Sequence, residues 1–116
     1  MSAKGGAAVK GTYEGATAKV RSTWGNIYVT LNWDEDGKPV EAFARLGKAG
    51  ESIPSMLEGL MRLCSVALQG GVPIEEIIHQ LRGIKDAERY VVNLEGIKSV
   101  PDAIGRALEM VLPLCD

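Results

Sequence analysis

The sequence has little histidine and cysteine, the side chains on which most metal sites and nucleophilic active sites depend. Its 116 residues include one histidine and two cysteines, with no CxxC pair and no second histidine at ligand spacing. We expect Cys64, inside an apolar helical pattern, to be a core side chain and Cys115, next to last, to be exposed. The composition therefore predicts no metal site and no redox relay, and we do not expect an enzyme that acts on its own.

An excess of charge of one sign and long apolar runs are also missing. Thirteen basic residues against fifteen acidic ones leave a net charge of -2, so charge alone gives no reason to bind nucleic acid. No run approaches the roughly 18 apolar residues of a membrane-spanning helix, and the N-terminus has no apolar signal segment. We therefore predict a cytoplasmic protein without a membrane partner, with a single domain because this length can bury one core.

Residues 1–16 are rich in glycine and alanine and show no period, so they are predicted to be a flexible segment ahead of a domain over 17–116. Apolar and polar side chains then alternate in three runs, the pattern of half-buried strands: 17–24, 27–33 and 40–46. Turn signals separate the runs, first at Gly25-Asn26 and then in the acidic stretch 34–39, which lacks the ligand spacing of a calcium loop. The pattern predicts a three-stranded antiparallel meander.

After the third strand the apolar spacing changes to three and four residues, the period of an amphipathic helix. We predict one helix of about 15 to 18 residues from Ile53 to Gly70-Gly71, a second from Pro73 to Gly83, and a third starting near Pro101. Residues 90–94 fit either an extra edge strand or an ordered loop. The predicted buried faces of the three helices are Ile53, Leu57, Leu60, Cys64, Ala67 and Leu68 in the first, Ile74, Ile77, Ile78 and Leu81 in the second, and Ile104, Ala107, Leu108, Val111 and Leu112 in the third.

Each helix has one apolar stripe and the sheet has one apolar face, so the three helices are expected to cover one side of the meander as a two-layer α+β domain. The start of the last helix has its own signal. Ser99 is expected to be the cap, Pro101 to lie in the first turn, and Asp102 to reach back as in a capping box.

A glycine-rich stretch between the last strand and the first helix has two interpretations. It contains glycines, a lysine and a hydroxyl, but not in the order of a phosphate-binding P-loop. In the first interpretation a single anion is held at the helix N-terminus by Gly47, Lys48, Gly50 and Ser52. In the second, the glycines only make the strand-to-helix turn and Ser52 or Glu51 caps the helix.

The sheet face turned away from the helices carries an aromatic pair, Tyr28 and Phe43, among polar neighbours. Such a pair fits either a surface for a partner or cross-strand packing within the sheet. We keep both interpretations of Tyr28 and Phe43 open.

Seven fragments, taken in order, resemble one known family: residues 26–32, 37–39, 41–43, 47–50, 71–78, 80–84 and 99–109. They are similar to the C-terminal accessory domain of adenosylcobalamin-dependent (class II) ribonucleotide reductases, which is named for a Thr-Ser-Cys-Pro-Asp motif. The likeness covers about residues 17–112. Of the motif, Ser99, Pro101 and Asp102 are present, whereas Lys98 and Val100 stand in place of its threonine and cysteine.

The resemblance implies a non-catalytic accessory or assembly domain in deoxyribonucleotide synthesis, a subunit or fragment of a ribonucleoside-diphosphate reductase. It would bind the reductase catalytic chain or associate with itself as a homodimer. Adenosylcobalamin would belong to the partner catalytic chain, and no cofactor is expected here. Any redox or metal role of the motif cysteine would be lost with Val100. The alternative is a small nucleotide-binding or nucleic-acid-binding module that uses the loop from Gly47 to Ser52.

Overall fold

The structure, a computed structural model, describes residues 13–47, 53–86 and 96–115. These residues form an α+β domain with a three-stranded antiparallel sheet and three helices, which confirms the predicted fold class. In chain order the elements are β1 (Glu14–Ser22), β2 (Gly25–Trp33), β3 (Pro39–Leu46), α1 (Ile53–Gln69), α2 (Ile74–Leu81), α3 (Val100–Val111) and a final 3-10 turn (Leu112–Leu114). The segment 90–94, predicted as an edge strand or a loop, lies outside the described residues.

The strands lie in the order β1-β2-β3, and alternate side chains of each strand point into the core. Because side chains alternate along a strand, the antiparallel register puts the apolar residues of all three strands on one face. The buried residues of the sheet are Ala18, Val20, Ile27, Val29, Leu31, Trp33, Ala42 and Leu46.

The first hairpin turn lies earlier than the sequence suggests. The predicted turn was Gly25-Asn26, but Ser22 pairs with Gly25 and the loop is Thr23-Trp24, so Trp24 is not a strand residue. The Ser22 hydroxyl closes the loop by donating to the Gly25 carbonyl at 2.6 Å and accepting from the Trp24 N–H at 3.1 Å. Gly25 returns to the strand with a φ of 123°, which glycine adopts most readily. The glycine therefore marks the start of β2.

Strand β1 begins at Glu14, earlier than Thr17, where the ordered domain was predicted to start. The reason is the length of β2, whose far end at Trp33 pairs with Glu14. Residues 1–12 lie outside the described part of the chain.

Helix α1 lies along β3 and satisfies the backbone of that edge strand. The Ser65 hydroxyl accepts from the Ala42 N–H at 3.0 Å and donates to the Ala42 carbonyl at 3.2 Å, and the Gln69 side chain donates to the Val40 carbonyl at 3.1 Å. Covering an edge in this way removes a site of unwanted strand pairing.

The contact with the β3 edge also sets which side of α1 is buried. The buried residues are Leu57, Met61, Cys64 and Leu68. Of the predicted face, Ile53, Leu60 and Ala67 are only half-buried. Met61 was not predicted, because the sequence pattern does not show that α1 leans toward β3.

Helix α3 packs on β1 and β2, and α2 packs on α3. The buried face of α2 is the predicted one, Ile74, Ile77, Ile78 and Leu81. On α3 the predicted Ile104, Ala107, Leu108 and Val111 are buried, whereas Leu112 is half-buried. None of the helices in the described ranges has the length and apolar character needed to cross a membrane.

Neither of the two cysteines forms a disulfide. Cys64 is a core residue as expected, and its burial raises the pKa of the thiol. Cys115 is half-buried, so the expectation of an exposed thiol was wrong. Its Sγ donates to the Gly37 carbonyl at 3.0 Å, which ties the C-terminus to the turn between β2 and β3.

Candidate functional site

The family motif lies where the end of α2 meets the start of α3. We call this cluster the α2–α3 junction and define it as Arg82, Gly83, Lys98, Ser99 and Asp102. Ser99 and Asp102 are both 0% exposed. A buried carboxylate is costly unless it is paired and hydrogen-bonded, so the partners of Asp102 determine what the cluster can do.

The carboxylate of Asp102 is fully engaged by donors from its own chain. One oxygen, Oδ1, accepts from the Gly83 N–H at 2.8 Å and from the guanidinium of Arg82. The other oxygen, Oδ2, accepts from the Lys98 N–H at 2.9 Å. This single side chain therefore joins the C-terminal end of α2 to the N-terminal end of α3.

Ser99 caps α3 as the sequence predicts, and its hydroxyl accepts from the Asp102 N–H at 3.1 Å. The return bond differs from a capping box, in which the acidic side chain would accept from the N–H of the cap residue itself. Here the carboxylate reaches Lys98, one residue further back. The Lys98 contribution is a backbone N–H, which any residue except proline supplies. Loss of the motif threonine at this position therefore leaves this bond intact.

The stem of Arg82 lies across a glycine of α3. A Cβ at Gly105 would stand 2.9 Å from Cδ of Arg82 and 3.2 Å from Cβ of Leu81. The guanidinium also pairs with the Glu109 carboxylate, Nε to Oε1 at 3.3 Å. Gly105 is therefore the space that lets Arg82 reach Asp102.

These contacts set the charge state of Asp102. Burial alone raises the pKa of its carboxyl, but the Gly83 N–H, the Lys98 N–H and the Arg82 guanidinium together lower the pKa below the ordinary value of 3.8. The carboxylate is thus ionised at neutral pH and has no exposed surface to offer a ligand. Its chemistry is that of a structural bridge, not of a general base.

The position of the motif cysteine has a different environment. Val100, which stands there, is the first residue of α3 and is half-buried. It lines a groove of about 500 Å³ together with Trp24, Met56 and Pro101. Val100 and Pro101 of the motif therefore line a groove, whereas Ser99 and Asp102 are buried.

The predicted anion loop is described only at Gly47. Its N–H donates to the Asn26 carbonyl at 2.7 Å, so this group serves the sheet. Lys48, Gly50 and Ser52 lie outside the described residues, and an anion site there stays a prediction.

The predicted aromatic pair does lie on the outer face of the sheet. Tyr28 pairs across the strands with Arg45, whose guanidinium stands 4.5 Å from the centre of the tyrosine ring. Phe43 pairs with Thr30 and is 53% exposed. A role of either residue in partner binding stays a prediction.

A groove of about 710 Å³ runs along the contact between β3 and α1, and we call it the β3–α1 groove. Phe43 and Val66 line it on opposite sides, and the ion pair between Glu58 and Arg62 lies on its helical wall. Its lining is mostly apolar, and the four charged side chains that also line it, Glu41, Arg45, Glu58 and Arg62, sum to zero net charge. Among the residues that the structure describes, no three of histidine, cysteine, aspartate and glutamate come together as metal ligands.

Sequence reasoning found Ser99, Pro101 and Asp102 but missed Arg82 and Gly105. Arg82 and Asp102 are 20 residues apart in the sequence, a separation at which no local period connects them. One signal was available: an aspartate within an apolar helical face requires a cation or several N–H donors nearby.

A family model of the TSCPD domain matches residues 7–112. No curated protein and no solved structure matches the chain. The TSCPD domain is found at the C-terminus of class II ribonucleotide reductases, so the resemblance drawn from the sequence is confirmed. With most of its 116 residues matched, the chain belongs to the TSCPD domain family and is a ribonucleotide reductase-associated domain.

Proposed function

We propose that this domain is a non-catalytic accessory domain, which acts in deoxyribonucleotide synthesis by contacting the catalytic chain of a ribonucleotide reductase. The observation that carries the proposal is the state of Asp102: its carboxylate is buried and occupied by three donors of the same chain. The family motif here supports the fold, which leaves contact as the means of action. Adenosylcobalamin, in this proposal, belongs to the catalytic chain, and both proteins are cytoplasmic.

The contact surface that we favour is the β3–α1 groove with Phe43 beside it. An aromatic side chain at the rim of an apolar groove is the type of residue that dominates binding energy in protein interfaces. The two carboxylates that line the groove, Glu41 and Glu58, and its two guanidiniums, Arg45 and Arg62, leave it without net charge. A partner can therefore cover it without burying an excess of one charge sign.

The direct test is to mix the purified domain with the class II reductase catalytic chain of the same organism. Light scattering coupled to gel filtration measures a complex, and nucleotide reduction measures turnover. We expect a complex and a change in turnover when the domain is added. Absence of a complex together with unchanged turnover would overturn the proposal.

A point variant locates the contact. Phe43→Ala is expected to weaken the complex by about tenfold or more, since buried aromatic anchors of interfaces typically contribute 2 kcal/mol or more. Met110→Ala is the matched control, because Met110 is similarly exposed, at 49%, but lies on α3. If the two variants bound the reductase with equal affinity, the contact would not lie in this groove.

A further inference from the structure

Helix α1 is unusual for a helix that covers one edge of a small sheet, because it is apolar on more than its buried side. From Met56 onward its polar side chains all lie on one stripe, which faces the β3–α1 groove: Glu58, Arg62, Ser65 and Gln69. Helices that are apolar around most of their circumference are normally covered on most of it. The described chain covers only the side containing Leu57 and Cys64.

The side chains on the uncovered side form a regularly spaced stripe. We call it the outer stripe of α1 and define it as Met56, Gly59, Leu63 and Val66, with spacings of three, four and three residues. The three large members are exposed to 69%, 69% and 65%. This spacing is that of the a and d positions through which two helices pack along their length.

Gly59 adds an independent observation. Among the described residues, a Cβ at this position would meet nothing within 4 Å, so no packing in that part of the chain requires glycine. Glycine in a helix interior lowers helix stability relative to alanine. At position 59 no contact with the described residues compensates for that loss of stability. Small residues on a helix surface let a second helix approach closely.

We propose that α1 pairs with α1 of a second copy of this chain, antiparallel and across a two-fold axis near Met61. In this register Leu63 fills the gap at Gly59 of the partner subunit. The same register sets Met56 against Val66 of the partner subunit, so every large side chain of the stripe is covered. A surface that fits itself in this way is what a two-fold dimer requires.

Charge favours a second copy as the occupant. Glu58 and Arg62 neutralise each other on α1, and the outer stripe itself has no charged member. Two identical faces therefore meet without repulsion. The inference rests on α1 alone, and the outer stripe shares only Val66 with the β3–α1 groove.

The test is sedimentation equilibrium of the full chain, without any partner, across about a hundredfold range of concentration. The average mass is expected to rise from the 12.4 kDa of one chain toward twice that value. Leu63→Glu places a charge at the centre of the pairing surface and is expected to raise the dissociation constant by at least about tenfold. Met110→Glu, which adds the same charge to an exposed methionine of α3, is expected to behave as the unchanged chain.

Gly59→Lys separates loss of pairing from loss of folding. Because no described residue lies near this position and lysine is a good helix former, the variant is expected to stay a monomer at all concentrations. At concentrations where the parent is also a monomer, it is expected to melt at a higher temperature than the parent. A parent chain that stays at monomer mass throughout overturns the proposal. So does a dimer that survives either Leu63→Glu or Gly59→Lys.

The outcomes also distinguish this inference from the proposed function. A chain that binds the reductase but never dimerises overturns the pairing of α1 alone. A dimer that neither binds the reductase nor changes its turnover confirms the pairing and overturns the proposed function.

Discussion

The α2–α3 junction and the outer stripe of α1 differ in how their side chains are satisfied. At the junction, the buried carboxylate of Asp102 has three donors from its own chain. On the outer stripe, large apolar side chains such as Leu63 have no cover within the described structure. The residues by which the family is recognised thus maintain the fold, whereas the exposed apolar surface lies on another helix.

The glycines of the two regions show the same difference. Glycine is needed at Gly105 because the stem of Arg82 occupies the space of a Cβ, whereas Gly59 has no described residue within 4 Å of a Cβ. One is explained by packing inside the chain. For the other we propose packing against a second molecule.

The largest expected effect comes from removing the charge at the junction. Asp102→Asn is expected to lower the free energy of unfolding by about 3 kcal/mol, because Arg82 loses its buried partner and an amide N–H₂ faces other donors. Urea unfolding at neutral pH measures the loss. Asp36→Asn, the same change in an exposed turn, is expected to cost less than about 0.5 kcal/mol. Equal losses in the two variants would contradict a special role for the junction.

The same loss is expected to depend on pH. The folded-state pKa of Asp102 is below its ordinary value of 3.8, so its stabilisation is complete above that value and is lost as the pH falls through the folded-state pKa. The difference in unfolding free energy between the parent and Asp102→Asn should therefore narrow in acid, below about pH 4. Urea titrations from neutral pH downward test this, and a difference that stays constant would show that the charge is not what stabilises the junction.

Alanine at the two helical glycines is expected to give effects of opposite sign. Gly105→Ala should destabilise by about 1 kcal/mol, because the new Cβ displaces Arg82 and this outweighs the gain in helix propensity. Gly59→Ala should stabilise the monomer by about 0.5 to 1 kcal/mol, because nothing obstructs it. Thermal unfolding at low protein concentration measures both. If both variants changed the unfolding stability in the same direction, the two glycines would not differ in the way proposed.

The smallest expected effect is that of Leu63→Glu on the stability of the monomer. Leu63 is largely exposed, so the free energy of unfolding should change by less than about 0.5 kcal/mol. Urea unfolding at a concentration below the dimer range checks this. A loss above about 2 kcal/mol would mean that Leu63 already packs within the chain.

Much of the fold could be predicted because its local patterns agree with its packing. The alternation through Val29 and Leu31 predicted β2, and the spacing of Ile74, Ile77 and Leu81 predicted α2. The cap at Ser99 was also predicted, because capping involves only neighbours in sequence.

The remainder depends on contacts that a local pattern does not contain. The sequence signal placed the first turn at Gly25-Asn26, whereas hydrogen bonds of the Ser22 hydroxyl close the loop at Thr23-Trp24. Met61 is buried because α1 leans on the edge of β3, and Asp102 is tied to Arg82 from another helix. The outer stripe of α1 is visible in the spacing from Met56 to Val66, but only the structure shows that it is uncovered.

The most direct test of the account is hydrogen–deuterium exchange of the domain with and without the reductase catalytic chain, at one fixed domain concentration. The account predicts slower amide exchange along the β3–α1 groove, in residues 39–46 and 58–66, and no change in residues 96–105 around the motif. Protection confined to residues 96–105 would contradict it, because the family motif would then be the contact surface.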